Sequence, residues 1–161
     1  MKILVASDIA EEGISKLKEE FEVDIKKGIS KEEIISIIEN YDGVIVRSKP
    51  NITEEIIKKG KNLKVVARAG VGLDNVDVNC CQGLGVKVVN SPQASSDSVA
   101  ELAFGLMLAV SRNIARADRL TREKRWEKKS LMGYELNGKT LGIVGFGRIG
   151  KIGRASCRER V

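Results

Sequence analysis

An α/β fold built on a parallel, doubly wound sheet is predicted by three features of this 161-residue sequence. Short apolar runs alternate with charge-rich amphipathic stretches up to about position 90, the pattern of strand and helix taking turns. The runs themselves, such as Val44-Ile45-Val46 and Val65-Val66-Ala67, are apolar at successive positions rather than every second one. A strand covered on both faces requires that, and parallel sheets are covered on both faces. Near the far end, Thr140-Leu141-Gly142-Ile143-Val144 runs into Gly145-Phe146-Gly147-Arg148-Ile149-Gly150, a G-x-G-x-x-G placed where a strand hands over to a helix.

The elements follow in order. Residues 2–7 read as a strand, and residues 9–20 as a helix with Ile14, Leu17 and Phe21 along one stripe. Residues 21–25 form the second strand. Ser30 stands before Lys31-Glu32-Glu33, so it can cap a helix whose acidic first turn suits the dipole; Ile34, Ile35, Ile37 and Ile38 are its buried face. Asp42-Gly43 reads as a turn into the strand 44–46. Thr53-Glu54-Glu55 caps a short helix that Gly60 ends, and residues 63–67 and 86–89 supply two more strands.

Pro92 marks a boundary. Beyond it Ser98 and Glu101 fit the capping box S-x-x-E, and the helix they start is expected to run to about Trp126, roughly 30 residues or 45 Å. Its first half, residues 102–110, is apolar all round and its second half is basic and amphipathic, which suits a connector between domains or a subunit interface. The run Arg122-Glu123-Lys124-Arg125-Trp126-Glu127-Lys128-Lys129 reads as a solvated helix end with Trp126 folded back on the core.

Bulk composition excludes several classes. Apolar residues make up 42% and charged residues 31% of the chain, an ordinary globular balance. The net charge of +6 comes from Lys and Arg interleaved with Asp and Glu, which marks solvated helix faces rather than a nucleic-acid partner. Met1-Lys2-Ile3-Leu4-Val5-Ala6 meets Asp8 too soon for a signal peptide, and no run approaches the roughly 18 apolar residues of a membrane span. Cys80, Cys81 and Cys157 show no metal-ligand spacing. Adjacent Cys80 and Cys81 are poorly placed to bridge each other and read as reduced, buried residues of a cytoplasmic protein.

The chemistry-bearing residues fall in two places. Arg47 follows one predicted strand and Arg68 another; ligands of open α/β sheets bind outside the carboxyl ends of strands. Arg47 has the Ser48 hydroxyl beside it, and Arg68 opens Ala69-Gly70-Val71-Gly72, whose successive N–H groups can form an anion-binding concavity. Guanidinium forks match carboxylate and phosphate oxygens. Either arginine alone reads as a surface ion pair; two at equivalent strand ends point to a small substrate carrying more than one negative charge. Locally, Leu73-Asp74-Asn75-Val76-Asp77 reads as a helix cap. In the glycine motif, Gly145 permits the tight turn, Gly147 lets a diphosphate approach the backbone, and Gly150 lets helix and strand pack closely. The acidic residue expected about 20 positions further on, against the ribose hydroxyls, would fall beyond Val161.

Taken together, Val46-Arg47-Ser48, Arg68-Ala69-Gly70-Val71-Gly72-Leu73-Asp74-Asn75-Val76-Asp77, Ser98-Val99-Ala100-Glu101 and Gly145-Phe146-Gly147-Arg148-Ile149-Gly150 resemble the D-isomer-specific 2-hydroxyacid dehydrogenase family. The resemblance implies a flavodoxin-like parallel-sheet substrate domain over residues 1–97. It implies an interdomain helix and the truncated start of a Rossmann NAD-binding domain over 98–151. It places Arg47, Ser48, Arg68 and Gly70 on a phosphohydroxy acid, and Val71, Gly145, Gly147, Arg148, Ile149 and Gly150 on NAD. Thr is frequent in the family at the position of Val71, so only backbone contacts are expected there. Asp74 and Asn75 gain a part in shaping the cleft. The activity implied is oxidation of 3-phospho-D-glycerate by NAD, in a homo-oligomer assembled through the NAD domain and long helix, with no nucleic acid and no membrane. The alternatives are a sister activity on another hydroxy acid and a non-enzymatic NAD-sensing scaffold. The family's catalytic Arg, Glu and His follow the glycine motif, and this sequence has no histidine; the chain by itself is expected to be inactive. Residues 152–161 abandon the apolar pattern of a packed helix and read as a non-native tail.

Overall fold

The computed structural model describes residues 1–158, with side chains to Ala155. Two compact units divide the chain, Met1–Ala94 and Ser95–Val161.

The first unit alternates β1 (Lys2–Val5), α1 (Glu11–Glu20), β2 (Glu22–Ile25), α2 (Lys31–Ile37), β3 (Gly43–Val46), α3 (Glu54–Lys59), β4 (Val65–Arg68), α4 (Val78–Gly83) and β5 (Lys87–Asn90), with a 3-10 turn at Ile38–Asn40. The five strands are all parallel in the order β2-β1-β3-β4-β5, the flavodoxin-like winding whose direction reverses between β1 and β3. Alternate strand residues face opposite sides. Leu4, Val44, Val46 and Val66 meet Ile34, Ile38, Ile56, Ile57 and Cys81 in one fully buried cluster. Ile3 and Val5 lie on the other face, where α1 buries Ile14 and Ile45, Val65 and Ala67 stay half-buried.

Local chemistry explains the boundaries. The capping box at α2 is complete: the Glu33 N–H donates to Ser30 Oγ at 3.2 Å and the Ser30 N–H to Glu33 Oε2 at 2.9 Å. Asp77 caps α4 by accepting from the Cys80 N–H at 2.9 Å. Thr53 stands at the N-cap of α3 without making the cap bond. Gly43, expected in a turn, opens β3 instead, in register between Ile3 and Val65. A Cβ there would lie 2.8 Å from Ile3 Cδ1 and 2.9 Å from Val65 Cγ1, so glycine is demanded by close packing of three strands. Cys81 is buried and Cys80 half-buried, both as free thiols; burial pushes both thiols up, Cys81 to about 11.

The second unit departs further from expectation. One long helix is two, α5 (Ser96–Ser111) and α6 (Ile114–Arg122), bent by 63°. The break is at Asn113, in the left-handed region at φ 54°, a conformation Asn tolerates. It leaves the Ser111 carbonyl free to accept from the Tyr134 N–H at 2.8 Å, while Asn113 Nδ2 reaches the Met132 carbonyl at 3.3 Å. Ser98 and Glu101 form no cap, because α5 begins two residues earlier and Ser95 holds the N-cap position. The all-round apolar half is not enclosed: Leu102, Leu106 and Val110 are exposed. Trp126 is not folded back either, at 84% exposure. Residues 140–144 form no strand, since no strand among the described residues pairs with them and a parallel strand exists only through its neighbours. A 3-10 turn at Lys128–Leu131 precedes them, and α7 (Arg148–Arg158) follows. Thus α7 starts inside the glycine motif and continues through seven residues of the segment read as a tail. Glu159, Arg160 and Val161 of that segment lie outside the described residues. No single described helix is long and apolar enough to cross a membrane.

Candidate functional site

The winding of the first unit locates a crevice before any side chain is considered. Where the strand order reverses, the connections leaving β1 and β3 diverge and a cleft opens at their carboxyl ends. A cleft of about 460 Å³ lies there, lined by Ala6, Ser7 and Asp8 after β1, by Gly28 and Ile29 after β2, and by Arg47, Ser48, Lys49 and Pro50 after β3.

Arg47 and Ser48 are exposed on this lining. The Arg47 guanidinium has no acid within 4 Å among the described residues. Asp8 at the rim is held below its ordinary value by a hydrogen bond with Lys27, 2.7 Å away. Lys27 takes the rim carboxylate in a direct ion pair, Arg47 adds a weaker attraction to it from a distance, and Arg47 and Lys49 line the cleft with no ion pair of their own among the described residues. The backbone behind it is tightly tied. Buried Ser7 accepts from the Arg47 N–H at 2.9 Å and donates to the Lys49 carbonyl. Asn75, also buried, donates from Nδ2 to the Arg47 carbonyl at 2.9 Å and to the Pro50 carbonyl at 3.2 Å. It is fixed in turn by a parallel bridge between Ile52 and Val76, with the Ile52 N–H on the Asn75 carbonyl at 2.8 Å.

Arg68 does not line this cleft. The register pairs it with Val46, not with Arg47, and paired residues share a face while the next residue turns to the other. The two arginines are therefore one position out of step. Arg68 Nε donates to the Arg47 carbonyl at 3.3 Å, and its fork lies 3.7 Å from Asp74. The guanidinium lies against the backbone of the following loop: a Cβ on Gly70 would come within 2.9 Å of Arg68 Nη1. That loop is pinned to the end of β5, the Gly70 carbonyl accepting from the Ser91 N–H at 3.0 Å and the Val71 carbonyl from Asn90 Nδ2 at 2.6 Å. The Ala69 and Gly70 N–H groups bond to the Val46 and Arg68 carbonyls. The Val71 and Gly72 N–H groups have no partner among the described residues, so the concavity expected of this loop reduces to two amides.

In the second unit the glycines divide three tasks. Gly145 sits at φ +91°, where only glycine is unstrained. A Cβ on Gly150 would stand 2.5 Å from the Gly145 carbonyl, so the helix passes too close for any side chain. At Gly147 an added Cβ would meet no described atom within 4 Å. Arg148 and Ile149 form the first residues of α7, at the helix end where backbone N–H groups point outward. The open space is therefore at Gly147, beside the first turn of α7, and the chemistry of that turn, outward backbone N–H groups with no side chain in front of them, suits an anion such as a diphosphate. A second cleft of about 400 Å³ borders this motif, lined by Gly145, Ile149 and Gly150 on one side and by Phe104, Met107 and Leu141 on the other.

Ser7, Asp8, Gly28 and Ile29 were not singled out from sequence. The signal that finds them is strand order: only once β1 and β3 are neighbours do residues after β1 face residues after β3.

Residues 3–148 match the model of the D-isomer specific 2-hydroxyacid dehydrogenase catalytic domain. The chain is similar to the D-3-phosphoglycerate dehydrogenase of Archaeoglobus fulgidus, 46% identical over 93% of this chain and 29% of that protein. It is similar to the hydroxypyruvate reductase of Thermotoga maritima, 54% identical over 83% of this chain and 44% of that protein. Among solved structures it resembles the NAD+-bound 3-phosphoglycerate dehydrogenase of Entamoeba histolytica, with a TM-score of 0.74 and 36% identity over 97% of this chain and 50% of that one. The chain spans less than half the length of either curated relative.

Proposed function

The chain belongs to the D-isomer specific 2-hydroxyacid dehydrogenase family, and from that premise we propose that, in a protein of its relatives' length, it serves NAD-dependent oxidation of 3-phospho-D-glycerate to 3-phosphohydroxypyruvate, an entry to serine synthesis. Residues 1–94 act as the substrate domain and the second unit begins the NAD domain. The observation that carries this reading is the unpaired Arg47 guanidinium beside Ser48 in the cleft at the β1/β3 reversal.

Arg47 holds an acidic oxygen of the substrate with charge-assisted bonds and Ser48 adds a hydroxyl donor. The Val71 and Gly72 amides offer a second anionic group two donors in a fixed loop. Arg68 acts from behind, bracing the Arg47 carbonyl. Gly147 and the first turn of α7 receive a diphosphate. When bound, NAD supplies the redox chemistry by accepting a hydride. Oxidation also requires a base for the hydroxyl proton, most often a histidine, and these 161 residues contain none. Exposed leucines on α5 support assembly of a homo-oligomer through the second unit.

The hydroxypyruvate reductase relative supports a second reading, in which the substrate lacks a phosphate. Turnover by the full-length protein decides. The proposal expects a higher kcat/KM for 3-phosphoglycerate with NAD than for hydroxypyruvate with NADH, and the reverse order supports the second reading.

A further inference from the structure

We infer that Ser7 is a positioning residue for the anion pocket: its hydroxyl fixes the backbone on both sides of Ser48 and so sets where Arg47 and Ser48 present their side chains. The inference rests on reading the β1/β3 cleft as the substrate site. A hydroxyl carries one donor and two acceptor positions, and Ser7 uses both kinds at once, accepting from the Arg47 N–H and donating to the Lys49 carbonyl. One buried group thus brackets three consecutive residues. Arg47 and Ser48 are themselves exposed and their side chains are not otherwise tied, so their direction is inherited from the main chain. The Arg47 carbonyl is held from the other side by Asn75 and Arg68, which leaves the N–H and the Lys49 carbonyl to Ser7.

Only Ser and Thr supply a donor and an acceptor on so short a side chain. Removing the hydroxyl frees two backbone groups that border an open cleft. Water can satisfy them there, so the loss falls on the geometry of the pocket more than on folding.

The test uses the full-length protein and reads KM and kcat separately for the hydroxy acid and for NAD. Ser7→Ala should raise the hydroxy-acid KM about tenfold, the scale of one or two lost hydrogen bonds, with little change in kcat or in the NAD KM. Ser7→Thr should restore the wild-type KM. Ser7→Cys keeps the volume with a weak donor; it should resemble Ser7→Ala and decides the matter should the alanine variant fail to fold. Folded Ser7→Ala or Ser7→Cys protein with a wild-type KM would overturn the inference alone. Wild-type protein that turns over no hydroxy acid would overturn the functional reading and this inference with it.

Discussion

The two ends of the same parallel sheet treat charge in opposite ways. At the amino-terminal edge the charges that join β1, β2, β3 and β4 are matched. Lys2 reaches Glu22 at 2.9 Å and Asp24 at 3.1 Å and lies 5.5 Å from the centre of the Tyr41 ring. Tyr41 donates to Asp24 at 2.8 Å, and burial together with that bond pushes its hydroxyl up to about 12. Asp42 accepts from Lys64 at 2.7 Å and from the Lys2 N–H at 2.8 Å, joining the starts of β1, β3 and β4. At the carboxyl edge, a few residues along the same strands, Arg47 is unmatched and two amides await an acceptor. A sheet held together at one end can leave donors unsatisfied at the other. The end with unsatisfied donors is the one where the cleft opens.

The largest effect should come from breaking the carboxyl end. Arg47→Ala in the full-length protein should lower kcat/KM for the hydroxy acid about a hundredfold, the scale of a lost charge-assisted contact, while the melting temperature holds. A matching loss of melting temperature would mean that Arg47 is structural and the contrast between the ends is false. The second unit offers the same contrast in two glycines. Gly147→Ala, entering open space, should raise the NAD KM about tenfold through blocked diphosphate approach and leave stability alone. Gly150→Ala, driven against the Gly145 carbonyl, should lower the melting temperature as well, as thermal denaturation of both variants would show.

The amino-terminal end should respond in stability and not in activity. Asp42 is held below its ordinary value of 3.8, chiefly by Lys64 and then by the Lys2 N–H. Asp24 is held below the same value, first by Tyr41 and then by Lys2. In that range the unfolded chain binds more protons than the folded one, so their stabilisation is complete above 3.8 and fades as pH falls through the folded values. Asp42→Asn should melt below wild type at neutral pH, and the gap should close under acid. A gap independent of pH would refute the assignment. Smallest of all, Lys2→Met should cost a few degrees of melting temperature with kinetics unchanged, because surface ion pairs contribute little singly.

What could be read from sequence follows the range of the interaction responsible. Ser30 with Glu33, the tight turn at Gly145 and the close approach at Gly150 are local matters of backbone donors and steric room, and the residues state them directly. Strand existence in the first unit was legible from the apolar runs. Register was not: Arg47 and Arg68 each follow an apolar run, and only the ladder shows that Arg68 pairs with Val46. The hydroxyl of Ser7 looked like the tail of a strand because its partners are about 40 residues away, at Arg47 and Lys49. Residues 140–144 have the composition of a buried strand but no partner among the described residues, and composition alone makes no ladder. The break at Asn113 was hidden because continuous helical character on both sides outweighs one residue whose left-handed backbone is fixed by bonds to residues 132–134.

A crystal structure of the full-length protein with 3-phosphoglycerate bound tests the central assignment most directly. The ligand should lie between residues 6–8 and 47–50, with an acidic oxygen within hydrogen-bond distance of the Arg47 guanidinium and the Ser48 hydroxyl. A ligand seated elsewhere, with Arg47 turned to solvent, would contradict it.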